Sequence, residues 1–543
     1  MNEHSVKNFL EVNIQNALEK MGVFDARVEV IRPDTPDHGD LSTNVAMTLS
    51  KQLRKAPRMI AEELISHTDP SPFDKVEIAG PGFVNFYFNQ AMFKRFVEFC
   101  EKPGFGRWDV GQSQPMQVEF VSANPTGPVT VANGRGAPLG DSISRLLEWI
   151  GYKVDREFYV NDRGAKIGHL GKSLEIRYRQ AGGESCELPE EGYPGEYLLD
   201  IAKEMRAELG NKPLEMNDDA RNEFFRTEAV ARMIAWQRKV FEDFGIVFDR
   251  WFLETSMVES GEIDQAIKDL DSKGFLYKED GAVWMKSTEL GDDKDFVIIK
   301  SNGDPTYTAT DIAYHRNKFA RGYVHMINLM GADHHGHTGP MYAGLEALGY
   351  DKNKLEFHLY QLVHLFRDGK QVKMSKSSGE FVTLEELLEE VGKDAARYFY
   401  LMRSSDTHLN FDLDLAKKKT MENPVYYVQY AHVRCCAIMD DERAAGIADV
   451  DFAGFEGDAE VGLARELMWF PDEVRQAATM RAPNRICSYA ERLAAAFHSF
   501  YHDCRVLGEE DIVAARRMKL VSSTRAVLKS CLEILGVSAP ERM

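Results

Sequence analysis

Two hydrophobic periods alternate along the first hundred residues. Phe9, Val12, Ile14 and Leu18 recur at helical spacing, whereas Arg27-Val28-Glu29-Val30-Ile31 alternates charged and apolar positions, as a half-buried strand does. Gly80-Pro81-Gly82 is turn chemistry, and it leads into Phe83-Val84-Asn85-Phe86-Tyr87-Phe88, rich in aromatic strand formers. This pattern predicts a small α+β domain over 1–105, closed by the break Lys102-Pro103-Gly104-Phe105-Gly106-Arg107.

From Pro115 the pattern changes. Gln117-Val118-Glu119-Phe120-Val121 reads as a strand, followed by a Pro/Gly-rich turn and a helix with Ile143, Leu146, Leu147 and Ile150 on one face. Strand–helix alternation continues around 296–300, 324–330 and 357–363, which predicts a parallel, doubly wound sheet over 106–380. Glycines and prolines between 180 and 220 mark a loop-rich insertion rather than a core element. Beyond about 380 strand signals fade. Leu463, Leu467, Phe470 and Val474, then Ile486, Tyr489, Leu493, Phe497 and Phe500, form apolar helix stripes. A connecting helical segment (381–420) and an all-α domain (421–543) are expected, and no internal repeat is seen.

Composition narrows the class. At 543 residues the chain is too long for one core, and ~3–4 domains are expected. Its 44% hydrophobic and 28% charged residues describe a globular protein. No apolar run reaches the ~18 residues of a membrane span, and the start lacks the basic-then-apolar layout of a secretory signal. Seven scattered cysteines without a CxxC pair read as reduced thiols of a cytoplasmic protein. A net charge of −20 argues against bulk electrostatic coating of nucleic acid, yet leaves room for one local basic face.

Three nucleotide motifs are excluded by spacing. Gly134, Gly136 and Gly140 are one residue too long for the dinucleotide fingerprint, Lys166 stands where a phosphate loop ending at Gly171-Lys172-Ser173 needs glycine, and no H-E-x-x-H occurs. Four other segments carry chemistry. Val118 through Gly136 is a strand end, a tight turn and a helix start, the place where such sheets bind ligands; a purely structural turn explains it as well. Lys373-Met374-Ser375-Lys376-Ser377-Ser378-Gly379 offers two ammonium groups to a polyphosphate, or is a solvated basic loop. Gly331-Ala332-Asp333-His334-His335-Gly336-His337 suits a polar pocket wall better than a metal site, because no partner Cys or Glu is spaced to complete a shell. Tyr307 and Asp311, four apart, share a helix face able to hold a cationic side chain; a surface helix start capped by Thr310 or Asp311 is the alternative.

Together these segments resemble the class I aminoacyl-tRNA synthetases, and specifically arginyl-tRNA synthetases of the bacterial type. The signatures run in order along the chain: SANPTGP at 122–128, YVND at 159–162, TDIAYH at 310–315, GADHHGH at 331–337, KMSKS at 373–377, DAARYFYLMRSSDTHLNFDLDLA at 394–416 and ENPVYYVQYAH at 422–432. The resemblance implies a Rossmann-like catalytic core with an insertion, an N-terminal tRNA-contacting domain and an α-helical anticodon-binding domain. It implies ATP, as Mg-ATP, as substrate with no tightly bound cofactor or resident metal, and arginine and tRNA(Arg) as partners of a monomer that binds neither DNA nor membrane.

Carried over residue by residue, it places Glu119, Ser122, Asn124, Tyr307, Asp311 and His334 around arginine. Pro128, Thr130, Ala132, Asn133, Gly331, Asp333, His334, Lys373, Met374 and Lys376 fall around ATP, with Lys373, Lys376, Thr130 and Asn133 as the catalytic set. Phe83 and Asn85 fall on the tRNA D-loop, an aromatic to stack and an amide to read a base edge. Tyr427 and Tyr430, beside Tyr426, are expected at RNA, with helix packing as the alternative. One departure stands out: the family's H-x-G-H reads Thr130-Val131-Ala132-Asn133 here, so two side-chain donors have changed type. An active synthetase with a variant ATP signature is the expected function, and an inactive RNA-binding or amino-acid-sensing relative is the alternative.

Overall fold

The computed structural model describes residues 4–372, 382–447 and 450–543. They form two compact units: Met1–Gly111 with Trp149–Gly151 and Lys418–Met543, and Gln112–Glu148 with Tyr152–Lys417.

The first unit opens with the helix Val6–Lys20, whose N-cap Ser5 accepts the Asn8 N–H. Its buried stripe is Val6, Leu10, Ile14, Ala17 and Leu18, so the stripe begins earlier than the sequence pattern suggested and leaves Phe9 and Val12 only half-buried. Strands β1 (Val30–Ile31), β2 (Leu41–Thr43), β3 (Phe73–Ala79) and β4 (Phe83–Phe88) make an antiparallel sheet in the order β1-β2-β4-β3. Only two residues of the expected 27–31 strand pair with a neighbour. The β3–β4 hairpin closes at Gly80-Pro81-Gly82, where Gly80 takes φ 52° and Gly82 φ 145°.

The helices Gly457–Leu467, Phe470–Thr479, Asn484–Asp503 and Asp511–Leu535 bury the expected stripes, Leu463 through Phe500, completely. The N-terminal segment and these helices are joined by buried polar contacts. Ser5 Oγ donates to Asp472 Oδ1 at 2.6 Å and Arg465 Nε to Asp40 Oδ1 at 2.6 Å. All seven cysteines are free thiols.

The second unit carries β5 (Pro115–Glu119), β6 (Lys153–Val160), β7 (Arg250–Leu253), β8 (Leu276–Glu279), β9 (Ala282–Met285), β10 (Phe296–Ile299), β11 (His325–Gly331) and β12 (Leu355–Tyr360). Five of these form one parallel sheet ordered β12-β11-β5-β6-β7. The 296–300 strand is a correction to the sequence reading. It belongs to a separate antiparallel sheet, β10-β9-β8, in which Asp280 and Gly281, both at positive φ (49° and 77°), turn β8 back onto β9, and β9 in turn pairs with β10.

The 180–220 stretch is less loop-like than its glycines suggested. Its helix Tyr197–Leu209 packs Leu198, Ala202 and Met205 against Leu170, Leu174, Tyr178, Phe225 and Met233 of the two flanking helices. Past 380 a further strand appears. With β13 (Val363–Arg367) and β14 (Lys370–Gln371), β15 (Leu409–Asp412) forms a three-stranded sheet, β13 and β15 running parallel. Its four residues alternate buried and exposed, too short a run to stand out between helices.

Candidate active site

Chain order reverses between β11 and β5, so the carboxyl ends of these two strands bound the crevice where open α/β sheets bind ligands. Glu119 ends β5, with Asn328 of β11 and Glu157 of β6 beside it in register. The helix Tyr307–Ala320 and the residue after its end satisfy this row. Lys318 Nζ, wholly buried, donates to Glu119 Oε2 at 2.5 Å and Asn328 Oδ1 at 2.8 Å. Tyr314 Oη donates to Glu157 Oε1 at 2.6 Å, and Arg321 binds both oxygens of Glu157. His315 Nε2 accepts from Asn328 Nδ2 at 2.7 Å while Nδ1 meets the Asp311 carbonyl at 2.8 Å, which fixes a neutral imidazole. Burial, with Lys318 beside it, pushes the His315 pKa down to about 3.

The chain leaves β5 through a strained turn. Val121 (φ 71°) and Ser122 (φ 44°) both sit in the left-handed region, at about 1–3 kcal/mol each. The strain is offset by what the turn delivers: Ser122 Oγ donates to Glu119 Oε1 at 2.8 Å and accepts the Tyr159 N–H at 3.1 Å. Glu119 is thus gripped at both oxygens before any substrate arrives.

Asp311, half-buried, is pushed up to about 7 by desolvation first and then by Glu119 and Glu254, with Lys318 opposing. Glu254 is itself raised, mainly by burial, and takes the Tyr159 hydroxyl at 2.9 Å. Tyr314 lies 4.5 Å from the Tyr159 ring and 4.9 Å from Phe252. Three carboxylates, one ammonium and aromatic walls make a place that disfavours its own charge until a cation enters it. Tyr307 opens the same helix, 67% exposed, and the N-cap is Thr306 rather than Thr310 or Asp311. Asn124 is exposed, and its backbone is held by the buried Gln237, whose Nε2 donates to the carbonyls of Asn124 (3.1 Å) and Gly127 (3.2 Å).

On the nucleotide side, Pro128 precedes a turn in which Thr130 caps the short helix Val131–Gly134. Thr130 Oγ1 donates to Asn133 Oδ1 at 2.7 Å, which orients the amide; Ala132 and Asn133 are exposed. The turn is pinned to a distant segment: Val131 N–H donates to the Val382 carbonyl (3.2 Å), Leu384 N–H to the Val129 carbonyl (2.8 Å), and Thr130 bridges Thr383. Lys373, Met374 and Lys376 lie outside the described residues. The chain before them is tied down by the Val372 N–H on the Leu365 carbonyl (2.8 Å). Gly331 ends β11 beside Tyr360, and Asp333, exposed, lies in the first turn of the helical segment Ala332–His337, which also carries His334; the His334 side chain lies outside the described part.

Behind this surface the packing is tight. A Cβ on Gly140 would stand 2.1 Å from the Phe120 ring and one on Gly136 2.7 Å from Tyr360 Oη, so the glycines that mimic a dinucleotide motif serve close helix–sheet approach. Arg135, buried next to Gly136, donates to the carbonyls of Gln361 (2.6 Å), Ser404 and Thr407 (2.8 Å each). Sequence reasoning missed Glu254, Lys318, Gln237 and Arg135. Lys318 alone left a trace, a charged residue on the apolar face of the helix that carries Asp311.

In the first unit, Phe83 starts β4 half-buried. Asn85 is only 3% exposed, with its Oδ1 accepting from Ser42 Oγ at 2.7 Å. Tyr427 and Tyr430 lie on the helix Pro424–Met439. Tyr426 and Tyr430 stack at 5.9 Å, His498 packs 4.8 Å from Tyr427, and Arg434 lies over both Tyr430 and Tyr501. This half-exposed aromatic row with one guanidinium has the composition of a base-stacking surface.

Comparison with known proteins identifies the family. Family models match three stretches: "Arginyl tRNA synthetase N terminal domain" at 8–88, "tRNA synthetases class I (R), catalytic domain" at 106–406 and "DALR anticodon binding domain" at 428–543. An arginine–tRNA ligase of Carboxydothermus hydrogenoformans is 46% identical over 545 residues, covering 98% of each chain. One from Bacillus subtilis is 43% identical over 550 residues, covering 99% of each. The solved arginyl-tRNA synthetase of Thermus thermophilus shares the fold at a TM-score of 0.80 and 23% identity, over 99% of this chain and 100% of that one. Among the described residues no helix is long and apolar enough to cross a membrane. The chain belongs to the arginyl-tRNA synthetases.

Proposed function

We propose that this protein charges tRNA(Arg) with arginine in two steps. An arginine carboxylate oxygen attacks the α-phosphorus of ATP, forming arginyl-adenylate and releasing pyrophosphate. A hydroxyl of the 3′-terminal ribose of tRNA then attacks the arginyl carbonyl, and AMP leaves with the bonding electrons. The observation that carries this reading is the carboxylate cluster Glu119, Asp311 and Glu254 at the carboxyl end of β5, which Lys318 at Glu119 and Arg163 near Glu254 compensate only in part. A guanidinium pairs two-pronged with carboxylates and leaves no acceptor idle; a lysine ammonium leaves some unpaired, which is how such a site rejects it.

In this reading Asp311 and Glu254 take the guanidinium, Tyr307 covers it, and Glu119 and Asn124 take the α-ammonium, with Ser122 acting through Glu119. ATP enters as its magnesium complex along Pro128, Thr130, Ala132, Gly331, Asp333 and His334. The Asn133 amide stands where the family carries histidine. Turned by Thr130, it presents its N–H groups as donors to phosphate oxygens whose charge grows in the transition state. Lys373 and Lys376, with Met374 between them, neutralise the departing pyrophosphate. Phe83 and Asn85 meet the tRNA D-loop, and Tyr427 and Tyr430 the anticodon arm. The protein works as a cytoplasmic monomer.

The test is charging of tRNA(Arg) with labelled arginine and ATP, alongside lysine, cysteine and no-tRNA controls. Arginine-specific charging supports the reading. Tight tRNA binding without charging overturns it and leaves an RNA-binding relative.

A further inference from the structure

Lys318 lies seven residues from Asp311 on the same helix, and no signature of the chain includes it. Its ammonium is fully buried, which disfavours its own charge, yet it donates to Glu119 Oε2 and Asn328 Oδ1 and stands 4.5 Å over the Tyr314 ring. Such a group is retained only if the surroundings need the charge. The neighbouring acid does not need it, because Glu157 already has both oxygens on Arg321, with Arg250 3.4 Å away. Glu119 does, because among the described residues its other oxygen meets only the neutral Ser122 hydroxyl.

We propose that Lys318 is a positioning residue for arginine selection: it fixes the Glu119 carboxylate and offsets part of the negative charge of the three pocket carboxylates, leaving the remainder to match the cationic groups of arginine. The inference rests on the arginine-charging reading of the site. Among the described residues, the charged and titratable groups acting on Asp311 are Glu119 from β5 and Glu254 from the helix Glu254–Glu259, which raise its pKa, and Lys318 from its own helix, which lowers it, while Tyr159 from β6 stays neutral. Around Lys318 itself stand Glu119, Glu157, Arg321, Tyr314 and neutral His315. Removing the ammonium leaves the Glu119 and Asp311 carboxylates repelling each other with nothing from Lys318 to oppose it, so Asp311 ionises at higher pH. Arginine, which needs them ionised, then binds worse at low pH and recovers as pH rises. A loss of packing alone has no such pH signature.

The experiment measures KM for arginine and kcat in ATP–pyrophosphate exchange with tRNA(Arg) present, from pH 6 to 8.5, for the wild type, Lys318→Met and Lys318→Arg. For Lys318→Met the expected result is a rise in arginine KM of about tenfold at pH 6.5, shrinking to under about threefold at pH 8.5, with the midpoint of the acidic rise displaced upward by about one unit. Lys318→Arg, which keeps the charge, returns the midpoint to the wild-type position. Asn328→Asp, which gives Lys318 a competing anionic partner without removing it, moves the midpoint upward too and serves if Lys318→Met does not fold. A KM change uniform across pH, or an unmoved midpoint in both charge-altering variants, overturns the proposal. If the wild type does not turn over arginine at all, the charging reading falls, and calorimetric arginine binding over the same pH series decides the role of Lys318 in the same terms.

Discussion

Thr383 pairs with Thr130 across an isolated antiparallel bridge, flanked by the Val131 N–H on the Val382 carbonyl and the Leu384 N–H on the Val129 carbonyl. The chain returning from segment 373–381 is therefore anchored on the turn that presents Asn133. Thr383 also forms a full capping box with Glu386 at the start of the helix Leu384–Val391. Thr383→Ala removes that cap at about 1 kcal/mol. It is expected to raise KM for ATP severalfold while leaving KM for arginine unchanged, as steady-state kinetics with each substrate varied will register.

The Asp311 carboxyl, pushed up to about 7, sets the pH dependence of arginine use. Arginine requires the ionised form, so its KM rises as pH falls through about 7 and levels above it. The sign for stability is opposite. A carboxyl whose folded pKa lies above its unfolded value favours the fold at low pH, and that contribution is lost as pH climbs through 7. Asp311→Asn should then stabilise the substrate-free protein at pH 8 by on the order of 1 kcal/mol, allowing for the site's partial solvent access. The same change lowers kcat/KM for arginine by about a hundredfold or more, the loss expected for removing one partner of a desolvated charge pair. Thermal melting and exchange kinetics on one preparation check both signs.

Asn133, oriented by the Thr130 hydroxyl, stands where the family carries histidine. Asn133→Ala is expected to lower kcat for adenylate formation by about 10²-fold, the usual effect of losing one transition-state donor, with little change in arginine KM. Asn133→His restores activity but introduces a pH dependence below about 7 that the wild-type amide lacks. Pre-steady-state adenylate formation against pH distinguishes the two.

Asp141 is buried among Arg397 (2.5 Å), Arg145 (2.9 Å) and Arg156 (3.4 Å), and these guanidiniums hold its carboxyl below the usual range against the opposing effect of burial. Asp141→Asn takes from the buried Arg397 the carboxylate it donates to, leaving the charge of Asp394 as partial compensation, and should cost about 3 kcal/mol at pH 7, measured by denaturant unfolding. The contribution of the ionised acid is present above its unfolded pKa and lost as pH falls through the lower folded value, so the difference between the two proteins narrows in strong acid.

What the sequence made legible follows from where each signal resides. The parallel core announced itself because β5 and β11 are strands with buried centres set between helices, and the C-terminal stripes because Ile486 through Phe500 repeat over a full twenty-residue helix. The β8–β9 hairpin carried a readable sign, Asp280-Gly281, that the strand pattern around it obscured. β15 had none, since four residues among helices make no period. At the site, Asp311 lies inside a long ordered signature and Glu119 three residues before one, so the sequence singles both out, and the structure brings the two carboxylates within electrostatic reach of each other. Lys318, Glu254 and Gln237 are not singled out, because their importance lies in what the fold brings within 3.1 Å of them, and no spacing along the chain records that.

The central claim is that the Glu119–Asp311–Glu254 pocket selects arginine for transfer to tRNA. The most direct measurement is the charging of tRNA(Arg) by the wild type and Asp311→Asn side by side, with arginine, lysine and the neutral isostere citrulline each offered at pH 7.5. The account predicts charging by the wild type with arginine alone, and its near-complete loss in Asp311→Asn with tRNA binding unchanged. Charging with lysine or citrulline at a comparable rate, or undiminished arginine charging by Asp311→Asn, would contradict it.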